Sequence, residues 1–227
     1  APLVRTAIGD TTVIAQLNGL AVTSVDPDVT VRRIAGRVAL IGSSVDLDLA
    51  TVAFNESSAS ARGHVDWSAA GMPAIKAMVT ADTLAFADLA SFVPNLPTSG
   101  GGRLQLTMTT DGGSSPTEYA VSAADLRTTR SVVRGGVTIE LTESNDLTIR
   151  HAALDLAPLH TELLNVLVPG ALPPELRGGV TGRVVVGGAG RAVRVDTLVA
   201  RYTDESVPGS VSRLSARGTL TLGGAAG

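Results

Sequence analysis

Short runs of strict two-residue alternation recur along the chain. Val45-Asp46-Leu47-Asp48-Leu49, Leu104-Gln105-Leu106-Thr107-Met108-Thr109, Val137-Thr138-Ile139-Glu140-Leu141, Val193-Arg194-Val195-Asp196 and Leu220-Thr221-Leu222 each separate apolar from polar positions. A period of two is that of a β-strand, whose successive side chains point to opposite faces. Each run therefore predicts a strand that packs on one face only. Turn-forming clusters divide them: Gly42-Ser43-Ser44, Asp111 to Pro116, Glu143-Ser144-Asn145-Asp146 and Gly187-Gly188-Ala189-Gly190. These supply the tight turns of antiparallel hairpins. Helix is predicted at three places only: Met72 to Val79, one turn from Asp88 to Phe92 stopped by Pro94, and Pro158 to Leu167. In the last, Pro158 stands at the start and Leu159, Leu163, Leu164 and Leu167 form one stripe.

Composition sharpens this picture. Of 227 residues, 44% are hydrophobic but only 3% aromatic, so the apolar mass is aliphatic. Charged residues make up 17%, below the roughly 25% of ordinary soluble domains. With 25 glycines, the mixture suits many short strands and tight turns better than helices. A formal net charge of -3 gives no electrostatic footprint for nucleic acid. There is no cysteine, which excludes a disulfide framework and thiolate metal sites. No apolar run approaches the length of about 20 residues that spans a bilayer. The start at Ala1 and the Gly223-Gly224-Ala225-Ala226-Gly227 end read as cuts inside a longer polypeptide, with any anchor outside this chain.

A longer repeat overlies the strand pattern. Gly36-Arg37-Val38, Gly102-Arg103-Leu104 and Gly182-Arg183-Val184 each open a strand. Downstream of each comes an Arg-Gly pair before another strand: Arg62-Gly63, Arg134-Gly135 and Arg217-Gly218. Two of the Gly-Arg strands share a lead-in. One runs through Phe86-Ala87-Asp88-Leu89 to Val93-Pro94-Asn95-Leu96-Pro97, the other through Leu154-Asp155-Leu156-Ala157-Pro158-Leu159 to Val168-Pro169-Gly170-Ala171-Leu172-Pro173. Such units add strands to one growing sheet. The chain is read as a single continuous β-repeat segment with approximate units 30–100, 101–180 and 181–222.

These residues resemble the AsmA/TamB superfamily of bacterial envelope proteins. The resemblance rests on Leu84 to Pro97 followed by Gly102-Arg103-Leu104-Gln105-Leu106, with a second copy around Leu156 to Val186. It covers roughly residues 30–222, and its motifs are degenerate. It implies an all-β fold with minor helices, an elongated antiparallel sheet curled into an open U-shaped trough. It implies a non-catalytic hydrophobic groove in the periplasm for phospholipid transport between inner and outer membranes, or a role in outer-membrane assembly. The implied partners are phospholipid acyl chains, an outer-membrane protein, and an inner-membrane anchor outside this chain. No cofactor and no nucleic acid are expected.

The groove-lining candidates are Leu104, Leu106, Met108, Val137, Ile139, Leu141, Val184, Val186, Leu220 and Leu222. For each, the alternative is a dry core side chain in a closed sandwich or barrel.

Catalytic patterns are missing from the sequence. His64, His151 and His160 lack zinc spacing. Asp26-Pro27-Asp28 lacks the oxygen-ligand rhythm of a calcium loop. No Gly-x-Ser-x-Gly elbow occurs. Gly187 to Gly190 follows a strand but precedes another strand, so it reads as a hairpin turn and not as a phosphate loop. The expectation is a protein that is not an enzyme. The competing readings are a structural or adhesive β-repeat module of a cell-surface protein, and a closed β-sandwich enzyme domain.

Overall fold

The computed structural model describes residues 5–9, 12–26, 28–68, 71–92, 95–144, 146–167, 172–173, 175–190 and 192–221. Thirteen strands and two short helices follow one another. They are β1 (Arg5–Gly9), β2 (Thr12–Val25), β3 (Asp28–Ile41), β4 (Ser44–Ala53), β5 (Ser58–Asp66), β6 (Ala74–Ala85), α1 (Phe86–Leu89), β7 (Gly101–Thr110) and β8 (Thr117–Arg127). Then come β9 (Val132–Leu141), β10 (Leu147–His160), α2 (Thr161–Leu167), β11 (Gly178–Ala189), β12 (Ala192–Asp204) and β13 (Val211–Thr221). Each strand pairs antiparallel with its neighbours in sequence, so the order of strands in the sheet is their order in the chain. Among the described strands, β1 and β13 lie at the two edges of the sheet. The fold is all-β: one open antiparallel sheet, curled as a trough and never closed into a barrel.

The predicted strands fall inside β4, β7, β9, β12 and β13, and the Gly42, Asp111 and Glu143 turns separate them as expected. Leu222 lies outside the described residues. Two helix predictions need correction. Met72 to Val79 is not helical: Met72 makes an isolated bridge to Gly113, and β6 begins at Ala74. Ile75, Ala77 and Val79 alternate there, and pairing on both sides with β5 and β7 overrides the weak helix propensity of the segment. The second helix starts at Thr161, not Pro158, because Pro158 through His160 complete β10. Asp155, in the lead-in to the third Gly-Arg strand, is a strand residue paired with Arg134 and Arg183. The turn predicted at Asp88 to Phe92 forms two residues earlier, at Phe86–Leu89.

Bulges bend the sheet. Register shifts fall in nearly every strand pairing, including those at Ala81/Leu84, Arg103/Gln105 and Val185/Val186. A bulge inserts one residue and kinks its strand without moving the rest of that strand to the other face. The recurrent glycines sit beside these kinks. At Gly102 the backbone has φ +154°, and a Cβ would lie 2.0 Å from the Asp125 carbonyl oxygen. At Gly182, with φ +150°, it would lie 2.3 Å from that of Val199. Only glycine permits so close an approach of two backbones in this conformation. The arginine after each glycine points to the opposite face. This is the physical content of the Gly-Arg repeat.

The helices occupy equivalent places. In the β4–β5 turn Ser57 is buried, and its hydroxyl oxygen accepts the Ala85 amide at 2.8 Å as α1 begins. In the β8–β9 turn Ser131 is buried, and its oxygen accepts the His160 amide at 3.0 Å as α2 begins. Phe86 and Thr161, the first helical residues, are both buried. The arrangement of four strands followed by a helix is therefore repeated.

Candidate apolar trough

Cross-strand register decides what each face presents. Following Cα partners from β2 to β13, one row runs Leu17, Gly36, Leu49, Ala61, Val79, Leu106, Val121, Val137, Ala152, Val186, Val195 and Gly218. The next row runs from Ala15 through Val38, Leu47, Gly63, Ala77 and Met108, then Tyr119, Ile139, Ile149, Gly188 and Val193, to the backbone position of Leu220. Neither row contains a charged residue. Each crosses eleven strand-to-strand steps of about 4.8 Å, a length of about 53 Å along the sheet.

The opposite face is polar. A row there contains Asp46, His64, Lys76, Thr109, Glu118, Glu140 and Thr148. Ion pairs cross neighbouring strands on this face: Arg62–Asp48 at 3.2 Å, His64–Asp46 at 2.6 Å, Arg134–Asp125 at 3.4 Å, Arg150–Glu140 at 2.6 Å and Arg183–Asp155 at 3.6 Å. Hydrogen bonding from Arg127, aided by the charges of Arg127 and Arg134, holds the Asp125 carboxyl below its usual range. Such solvent-exposed pairs are screened and add little to stability. Their work is to keep this face wetted and the register unique.

The predicted lining residues meet on the apolar face. Leu104, Leu106 and Met108 on β7, Val137, Ile139 and Leu141 on β9, and Val184 and Val186 on β11 share it by register. Leu220 takes the β13 position opposite Val193. All eight on β7, β9 and β11 are half-buried. All described strands belong to one sheet, so no second sheet is present among them to cover this face. Among the described residues no large side chain is fully buried, whereas sandwich cores are close-packed.

Near α1 and α2 the apolar face deepens into a cavity of about 360 Å³, within the range of small-molecule sites. Leu84, Phe86, Leu104, Leu126, Leu156 and Leu163 are among the residues that form it, and its surface is wholly apolar. The α2 side is tied down by Arg130, which pairs with Glu162 at 3.1 Å and with Glu205. Alternation alone does not reveal this cavity, because its leucines come from four strands and both helices. Its signals in the sequence are Leu104, from alternation, and the stripe of Leu159, Leu163 and Leu164.

Of the titratable residues, Arg127 lines the cavity at its edge, and the three histidines do not. His64 and His151 stand on the polar face, and His160 lies 3.5 Å from Glu205 near the start of α2. Trp67 follows β5, half exposed, its amide donating to the Ser43 carbonyl at 2.9 Å. No helix among the described residues is long and apolar enough to cross a membrane. No protein-family model matches the chain, and neither a curated protein nor a solved structure does.

Proposed function

We propose that the chain is a segment of a non-catalytic hydrophobic trough that conducts phospholipid acyl chains across the periplasm, as the AsmA/TamB-like pattern of its repeats implies. The observation that carries this reading is the pair of unbroken apolar rows on a face without a second sheet. Exposing acyl carbons to water costs about 0.8 kcal/mol per CH₂, so a chain of about 16 carbons faces a barrier above about 10 kcal/mol in an aqueous gap. A continuous aliphatic strip removes most of that barrier and requires no reactive group. Tyr119 is the one aromatic residue in the two rows, so the strip is almost wholly aliphatic, and the polar outer face faces water. Transport between membranes, an envelope location and a membrane-anchored parent protein belong to the same reading.

The test is a photo-crosslinking amino acid at Leu106 or Ile139 in the full-length protein in cells, with Thr107 on the opposite face as reference. Phospholipid adducts at the first two positions and none at Thr107 are the expected result. Adducts to protein alone at Leu106 and Ile139 would overturn the proposal and favour a structural β-repeat module.

A further inference from the structure

The β13 edge carries the features of a strand whose partner is missing. Gly218 follows Arg217 as Gly135 follows Arg134. Both glycines hold positive φ, +147° and +133°. At Gly135 the reason is visible: a Cβ would sit 2.0 Å from the Ala153 carbonyl oxygen of adjoining β10. At Gly218 nothing lies within 4 Å. The backbone there is shaped for a close approach that no described strand makes.

A second feature agrees. Ser57, Ser131 and Ser210 occupy equivalent turns, their carbonyls accepting the amides of Phe54, Thr128 and Asp204 at 2.9, 2.8 and 3.2 Å. The Ser57 and Ser131 hydroxyl oxygens each accept an amide from the end of the strand beside their own, at Ala85 on β6 and at His160 where β10 ends. Ser210 precedes β13, beside which no such strand is described. Natural free edges are shortened or blunted with lysine and proline. β13 is 11 residues long without either, its residues from Val211 to Thr219 exposed, whereas β1 at the other edge has 5 residues.

We infer that the β13 edge is a docking site for one further antiparallel strand of the β10 kind, belonging to another unit of this repeat. The register of β9 on β10 sets its chemistry. Arg134 faces Asp155 and Gly135 faces Leu154, so the incoming strand places an acidic residue opposite Arg217 and an apolar one opposite Gly218. A second copy of β13 fits poorly. A symmetric pairing centred on Ser215 would set Arg213 against Arg217, and like charges directly opposite are destabilising. Addition of a strand to an exposed edge is a general mode of recognition, with affinity from backbone hydrogen bonds and specificity from alternate side chains. The inference does not depend on what the trough carries.

The chain lacks cysteine, which makes a crosslinking test clean. Thr219→Cys is introduced into the 227-residue chain, and a peptide of residues 147–160 is supplied with one cysteine. Gly136 faces Ala153, so the peptide carrying Ala153→Cys should form the disulfide at least about tenfold faster than those carrying Ala152→Cys or Leu154→Cys, which a one-residue offset places on the other face. Gly218→Val, which fills the space needed for close approach, should abolish the preference while the circular dichroism spectrum of the free chain without denaturant keeps its native β signature. Equal rates from the three peptides would overturn the inference. So would a preference that survives Gly218→Val, or a Thr219→Cys chain that instead dimerises through its own β13.

Discussion

Substituting alanine at three glycines separates two physical costs that the Gly-Arg repeat combines. Gly102 has both a positive φ and a blocked Cβ position, 2.0 Å from the Asp125 oxygen and 2.9 Å from its carbonyl carbon. Gly218 has the positive φ alone, with nothing within 4 Å. Gly63 has neither severe feature; its nearest neighbours, the Ala77 Cβ and the Lys76 oxygen, lie at 3.3 Å. Strained backbone costs about 1–3 kcal/mol. Forcing a backbone carbonyl aside costs about 1–3 kcal/mol more. Gly102→Ala should therefore destabilise by about 2–6 kcal/mol, and Gly218→Ala by the first cost only. Gly63→Ala should be near neutral, because the unfolded-state gain of about 0.4–1 kcal/mol offsets a mild contact.

Urea unfolding followed by circular dichroism reads these differences as midpoint shifts at constant slope. With a slope of about 2–3 kcal/mol/M, a loss of about 3 kcal/mol lowers the midpoint by about 1 M. Repeat sheets can lose cooperativity, so amide exchange in β7 and β8 provides the local measurement. The ordering Gly102, then Gly218, then Gly63 is what the geometry demands. Equal shifts for Gly102→Ala and Gly63→Ala would refute the close-approach argument.

Two more perturbations address the helical end. Ser131→Ala leaves the half-buried His160 amide without its acceptor, a loss of about 0.5–1.5 kcal/mol that should appear as faster amide exchange in α2 with β9 unchanged; unaltered α2 exchange would disprove the tether. Asp88 accepts the Glu56 and Ser57 amides at 2.9 and 2.7 Å. Burial pushes its carboxyl upward, but hydrogen bonds from the Ser57 side chain and from the Glu56, Ser57 and Asn55 amides outweigh burial and hold it below its ordinary range. A depressed folded pKa contributes stability fully present above the unfolded value of about 3.9 and lost as pH falls through the folded value. The protection of the α1 amides, taken relative to their intrinsic exchange rates, should therefore fall in acid, and Asp88→Asn should remove that pH dependence; a wild-type profile in the variant would contradict the assignment.

Alternation made most of the sheet legible, because a one-sided strand writes its burial directly into a period of two. Leu104, Leu106 and Met108, and Val137, Ile139 and Leu141, were visible for that reason. β5 was harder to read: Ala59, Ala61 and Gly63 line the apolar face, yet their small side chains give no contrast with Ser58, Ser60 and Arg62. The segment from Met72 misled because Ala, Lys and Met favour helix locally, and only the neighbours on β5 and β7 make it a strand. Bulges hid Leu84, Val52 and Leu126 from strict alternation, since each inserted residue breaks the count in sequence while preserving the face in space. Pro158 reads as a helix start because proline favours that position, yet in the structure it belongs to the end of β10. The cavity under α1 and α2 depended on bringing distant leucines together, which no local pattern records.

The agreement between strand order and chain order has a kinetic consequence. Each strand finds its partner in the segment just before it, so most of the loops to be closed are single hairpins. Loop closure of that kind takes little entropy, and proteins dominated by near-neighbour contacts fold faster than those that must join distant segments. Growth can proceed hairpin by hairpin in the direction of synthesis, each completed strand serving as the template for the next. A chain emerging slowly through a narrow exit would never need its far end to begin acquiring structure.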